Sequence, residues 1–138
     1  MKGTFYVDSN VFLYPVLYNE LKESKEARKI LSQIEEKKIH AYTSTLTWDE
    51  VSYVVERILG KTDAIEVGKK FINFPFLRFI TVDDEIIRRS QVIREKYNLK
   101  PRDSIHLSCA IERNISEIIT DDSDFDHIKE IKRIPLLR

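Results

Sequence analysis

Residues 5 to 18 read FYVDSNVFLYPVLY, and the change of pattern inside that stretch decides what kind of fold follows. Phe5, Tyr6 and Val7 form a short apolar run that stops abruptly at Asp8. Such a run, bounded by turn formers, predicts a buried strand with Asp8 at its C-terminal end. Asp8, Ser9 and Asn10 are all good helix N-caps, because their side-chain oxygens accept from the free N–H groups of a first turn. The chain therefore passes from strand to helix within three residues. The helix, Val11 to Tyr18, is interrupted by Pro15.

The same alternation recurs downstream. Leu21 to Lys37 carries Ala27, Ile30, Leu31 and Ile34 at helical spacing with charge on the other face. Ile39 to Thr43 reads as a second strand. Thr45 or Thr47 can cap a helix through Leu46, Val51, Val54, Val55 and Ile58, which Gly60 closes. Thr62 to Phe71 is a further helix, and Phe79 to Val82 a strand. Asp83 to Lys96 reads as a helix with Ile86, Ile87 and Ile93 inward. Pro101 opens another helix through Ile105, Leu107, Ala110 and Ile111. Ile115 to Thr120 is a strand, and Lys132 to Leu136 a last short one. Short strands alternating with helices imply an α/β fold with a central, mostly parallel sheet flanked by helices. No linker or repeat divides the chain, so residues 1–138 are expected to form a single domain.

The composition narrows the classes. With 138 residues, 42% apolar and 33% charged, the chain is long enough for a real core and is not disordered. Lys+Arg and Asp+Glu are 23 each, so there is no overall basic footprint of nucleic-acid binding, although charge can still be segregated by face. The single Cys109 excludes an intramolecular disulfide and fits a reducing cytoplasm. No apolar run reaches signal-peptide or transmembrane length. Only Gly3, Gly60 and Gly68 are glycines, too few and too scattered for a phosphate-cradling loop.

The acids then stand out. In ITDDSDFDHI, residues 119–128, Asp121, Asp122, Asp124 and Asp126 crowd the end of a strand. Two unit charges ~4 Å apart repel by on the order of 4 kcal/mol at an effective dielectric of ~20. Asp8 ends the first strand, Asp103 sits in the first turn of its helix, and Glu50 lies early in the helix begun near Thr47. In a parallel α/β sheet the strand C-termini and helix N-termini share one edge, where sites form. Asp8, Glu50, Asp103 and Asp122 can therefore converge. Singly, each has a plain structural role: Asp8 a cap, Glu50 an exposed helix residue, Asp103 a first-turn acid favoured by the helix dipole, the closing aspartates turn formers and caps. Together, with no basic residue in the Asp8 or Asp122 turns, they call for a hard divalent cation. An oxygen-only donor set suits Mg²⁺ or Mn²⁺ rather than zinc.

This order of segments resembles the PIN domain family, and within it the VapC-type toxin ribonucleases. FYVDSNVFLY is similar to the family's opening strand, acid and following Asn. TSTLTWDEV is similar to the segment with its helical Glu, KPRDSIHLSCA to its third-acid helix, and IITDDSDFD to its closing Thr-x-Asp strand end. The resemblance spans nearly the whole chain. It implies a PIN-like domain whose metal-site acids are Asp8, Glu50, Asp103 and Asp122, with Asn10 and Thr120 as supporting groups. Asp124 either shares the fourth role or holds a second metal, and Asp49 competes with Glu50. The implied activity is Mg²⁺- or Mn²⁺-dependent hydrolysis of RNA by the toxin of a toxin–antitoxin pair, as a cytoplasmic homodimer. A small antitoxin would lie in a groove between the helices near Leu13–Leu31 and Val51–Phe76. The alternatives are a non-catalytic PIN-type module that binds RNA or protein, and a phosphotransfer receiver, which would need a Lys near a late strand. Arg102 is a candidate for meeting the scissile phosphate. His106, three residues after Asp103 and able to share its helix face, reads as a packing or hydrogen-bonding residue, with contact to substrate as the alternative; Cys109 reads as a core thiol, Trp48 as a buried or base-stacking ring, and Lys37-Lys38, Lys69-Lys70 and Arg88-Arg89 as solvated faces or a basic rim.

Overall fold

Alternation along β1 (Thr4–Val7) sends Phe5 and Val7 to one face of a sheet and Tyr6 to the other, and all three are buried. A first strand buried on both faces needs neighbours on both sides and cover above and below. The computed structural model, which describes all 138 residues, supplies them. β2 (His40–Ser44), β3 (Leu77–Ile80), β4 (Glu117–Ile119) and β5 (Lys132–Ile134) complete a five-stranded sheet in the order β3-β2-β1-β4-β5, every pair parallel. Between the strands run α1 (Ser9–Leu17), α2 (Lys22–Glu35), α3 (Thr45–Leu59), α4 (Lys61–Ile72), α5 (Asp84–Lys96) and α6 (Pro101–Glu112). A 3₁₀ turn, Ser123–His127, leads to β5.

The strand order fixes the layers. The first two crossovers step outward from β1, and the third returns the chain to its other side. Right-handed crossovers then place α1–α4 on one face and α5–α6 on the other. The core divides accordingly. Phe5 and Val7 pack with Val11, Ala27, Val51 and Phe71, while Tyr6 and Ile118 pack with Ile86, Ile93, Leu107 and Ala110. Small residues let α5 and α6 approach closely. Ser90 and Ser108 are buried, and both hydroxyls donate to the Ile86 carbonyl, at 2.7 and 3.0 Å.

Several local expectations shift. Pro15 lies inside α1 without ending it at once, and the Tyr18 N–H closes the helix on Tyr14 O at 2.9 Å. Neither Thr45 nor Thr47 caps α3. Ser44 holds that position, Thr45 Oγ1 accepts from Val82 N–H at 3.1 Å, and Thr47 is tied to Thr43 at 2.7 Å. β3 begins two residues early, because Asp83 caps α5 by accepting from Ile86 N–H at 3.0 Å and draws Thr81 and Val82 out of the ladder. Ile87 is 47% exposed, since it lies about 100° around the helix from Ile86. Trp48 is 45% exposed rather than buried under the sheet. Gly60 does close α3, at φ 96°, where a side chain would be strained.

Candidate active site

β1 lies between β2 and β4, and the chain reverses its stepping direction there. This is the switch point at which a parallel sheet opens a crevice beyond its strand ends. Asp8 stands at that point, 4% exposed. It caps α1, with Oδ1 accepting from Ser9 N–H at 2.7 Å. Oδ2 accepts from the Thr120 hydroxyl at 2.7 Å and more distantly from the Asn10 amide at 3.4 Å. Asn10 also donates to Thr120 Oγ1 at 2.9 Å and accepts from Asp121 N–H at 3.3 Å. The α1 start and the β4 end are thus stitched together around one carboxylate.

Each remaining acid arrives as the topology requires. Glu50 lies in the second turn of α3 with its side chain only 15% exposed, against its reading as an exposed helix residue. The neighbouring Asp49 is exposed, which leaves Glu50 as the member of the cluster. Asp103 is half-buried in the first turn of α6. Asp122 follows β4 and caps the 3₁₀ turn, accepting from Asp124 N–H at 2.9 Å. The ligating oxygens of Asp103, Asp122 and Asp124 lie within 4.8 Å of one another, as do the ligand atoms of Asp8, Glu50 and His106. The other two closing aspartates are structural. Asp121 accepts from Leu136 N–H at 3.2 Å, and Asp126 pairs with Arg133 at 2.6 and 3.1 Å rather than capping a helix. Arg102 is exposed beside Asp103.

The electrostatics separate a cluster from a set of independent caps. A first-turn carboxylate with only the helix dipole for company would be stabilised in its charged form. Asp103 instead has its pKa pushed up to about 7, first by burial, then by the charges of Asp122 and Asp8. Repulsion of this kind is what a divalent cation relieves, and a donor set of carboxylates fits a hard ion such as Mg²⁺ or Mn²⁺. The residues present therefore suit a metal.

Of the two structural roles the sequence offers His106, packing or hydrogen bonding, it takes the second, inside the cluster. His106 is fully buried, with Nε2 2.6 Å from Glu50 Oε1 and 3.5 Å from Asp8 Oδ1. Burial alone would lower its pKa, but the charge of Asp8, the hydrogen bond and charge of Glu50, and Asp103 outweigh it and hold the imidazolium above its usual range. The signal was the three-residue spacing from Asp103, which puts both on one face of α6. Tyr6, whose hydroxyl lies 2.6 Å from His106 Nδ1, reads in the sequence only as an apolar strand residue, although its two-residue spacing from Asp8 points both to one side of the chain.

An all-parallel sheet whose switch point gathers carboxylates from four distant segments defines a narrow class of α/β domain. Residues 5–131 match the PIN domain, and the chain belongs to that family. It is 23% identical over 147 aligned positions to Ribonuclease VapC2 of Methanocaldococcus jannaschii, covering 98% of this chain and 95% of that protein. Among solved structures it resembles DNA-bound VapBC from Salmonella typhimurium, with TM-score 0.74, 19% identity, and 96% and 98% of the two chains covered. It also resembles VapC20 of Mycobacterium tuberculosis, a toxin that cleaves the sarcin-ricin loop, with TM-score 0.74, 12% identity, and 92% and 96% covered. At these identities the likeness to the solved structures is one of fold.

Proposed function

We propose that this protein is a metal-dependent endoribonuclease that hydrolyses RNA phosphodiester bonds, and that it is the toxin of a type II toxin–antitoxin pair. The observation that carries the reading is two acid groups beyond one sheet edge, Asp8 with Glu50 and Asp103 with Asp122 and Asp124, joined by the charge of Asp8 on Asp103, whose pKa burial, Asp122 and Asp8 push up to about 7. These four would hold Mg²⁺ or Mn²⁺, with Asp124 sharing the last position or serving a second ion. Such an ion, when bound, supplies an acidified water and a clamp for phosphate oxygens. The chain's own residues orient the rest. Ser9 N–H and the Thr120 hydroxyl fix the Asp8 carboxylate, and Asn10 fixes Thr120. Arg102, exposed at the start of α6, would meet the phosphate backbone. No Ser, Cys or His nucleophile is needed, and burial pushes the Cys109 thiol up to about 12, far from a reactive thiolate.

The likeness to a protein named as a ribonuclease and to VapBC complexes supports both halves of the reading. A small antitoxin would seat an apolar segment in the cleft of about 320 Å³ that opens between Phe12, Pro15 and Leu31 on one side and Val51, Val67 and Phe71 on the other. A homodimer acting in the cytoplasm completes the proposal. No helix of the chain is long and apolar enough to cross a membrane.

The test is cleavage of single-stranded or looped RNA by purified protein. Activity with Mg²⁺ or Mn²⁺ and none with a chelator is the expected outcome. Robust cleavage in excess EDTA would sink the metal mechanism. RNA binding without cleavage in Mn²⁺ would favour the non-catalytic module.

A further inference from the structure

Of the three histidines, only His106 is fully buried, and both of its ring nitrogens are committed. Nδ1 lies 2.6 Å from the Tyr6 hydroxyl, which is itself fully buried, and Nε2 lies 2.6 Å from Glu50 Oε1. The Tyr6 ring meets the imidazole edge-on at 5.5 Å between centroids, so the ring plane is fixed as well as its ends. A leucine would fill this volume without polar atoms to satisfy. The hydrogen-bonded chain instead runs from β1 through α6 to α3 and ends on a carboxylate of the acid cluster.

The elements that carry it also carry acids of the cluster. β1 leads into Asp8 and also provides Tyr6. α6 provides Asp103 and also His106, three residues on. Each of two elements thus brings one acid to the cluster and one buried group beneath it. Glu50 needs such support more than the others do. Its long side chain has three torsions, and no backbone N–H holds it, whereas Asp8 and Asp122 each accept from a backbone N–H.

We propose that His106 is a positioning residue: braced by Tyr6, it donates Nε2–H to Glu50 and fixes that carboxylate beside Asp8 in the arrangement a divalent cation requires. This rests on the metal-dependent reading above. The competing role, His106 as a metal ligand itself, fits the geometry less well. Two ligands in adjacent octahedral positions at ~2.1 Å from a hard ion stand about 3.0 Å apart. The observed Nε2 to Oε1 separation of 2.6 Å is shorter than that and fits a short hydrogen bond to a carboxylate. A nitrogen that donates such a bond has no lone pair to give. Groups that orient metal ligands in this way typically change metal affinity by 10- to 100-fold when removed.

The experiment is Mn²⁺ titration of the full-length protein by electron paramagnetic resonance, with a thermal melt of each metal-free variant. His106→Leu should weaken Mn²⁺ binding about 10- to 100-fold. His106→Gln, which retains an N–H near the Nε2 position, should recover most of that loss. Tyr6→Phe, which deletes only the hydroxyl that braces the ring, should fold and weaken binding several-fold. Should His106→Leu fail to fold, Tyr6→Phe decides. Wild-type affinity in Tyr6→Phe, with His106→Leu either unfolded or also at wild-type affinity, would overturn the proposal. So would a ¹⁴N coupling to bound Mn²⁺ in the wild type that His106→Gln removes, since that makes His106 a ligand. If the wild type takes up no Mn²⁺ at all, the metal-dependent reading fails, and this proposal fails with it.

Discussion

Asp8 and Asp103 stand in one cluster and are held in opposite ways. Asp8 is buried, both its oxygens accept hydrogen bonds, and His106 lies 3.5 Å away. Asp103 is half-buried at the start of α6 and faces Asp122 and Asp8, whose charges together with burial push its pKa up to about 7. The first half of the site is compensated by the protein. The second is left in mutual repulsion. Hydrogen bonds to a carboxylate favour its charged form, whereas burial and like charges disfavour it. The fold therefore supports one side of the cleft and leaves the other for something positive to complete.

The largest effect should come from breaking the compensated half. Asp8→Ala removes an acid, the α1 cap and the acceptor for the Thr120 hydroxyl. Cleavage should fall by at least about 100-fold. Stability should fall as well, by about 1–2 kcal/mol, from the lost cap and the stranded hydroxyl. RNA cleavage assays and denaturant melts check both. Retained activity would remove Asp8 from the site, and unchanged stability would mean that the donors around it re-pair.

The next effect separates members of the open half. Asp122→Asn should lose most of the activity, because its carboxylate faces Asp103. Asp126→Asn should cleave like the wild type, because Asp126 is turned towards Arg133 on β5. Equal losses in the two variants would show that the closing turn is assigned in the wrong register.

How far this division was legible in the sequence depends on the reach of each signal. Strand one, its following helix and the convergence of Asp8, Glu50, Asp103 and Asp122 on one edge follow from local pattern and from the rule that parallel strands end where helices begin. The compensation does not. His106 meets Glu50 across 56 residues and Tyr6 across 100, and no local period encodes those separations. The caps at Thr45 and Thr47 failed for a related reason. Both hydroxyls are engaged elsewhere, Thr45 by Val82 N–H across 37 residues and Thr47 by Thr43 at the end of β2, and so leave the first turn of α3. Strand β3 was misplaced by two residues because apolar content runs on through Val82, while the cap at Asp83 takes the backbone out of the sheet.

The smallest change in stability is also the sharpest test of the contrast, because its sign opposes that of Asp8→Ala. Asp103→Asn deletes a charge from the repelling half while keeping its shape. Cleavage should be lost, yet the metal-free protein should become more stable, by roughly 1 kcal/mol once solvent screening of an open cleft is allowed for. The pH dependence follows from the same shift. In the unfolded chain Asp103 titrates near its ordinary value of 3.8, and in the folded protein near 7. Between those values the folded state holds a proton that the unfolded state has released, so stability falls as pH rises across that window and levels off above it. His106, held above its usual range, adds a loss of the same sign at higher pH, so the comparison must be made between proteins. Wild type minus Asp103→Asn should show the wild type losing relative stability from about pH 4 to about pH 7. Added Mn²⁺ should stabilise the wild type and the variant much less. If the variant instead melts lower in EDTA at pH 8, the dipole of α6 outweighs the repulsion, and Asp103 is held as firmly as Asp8.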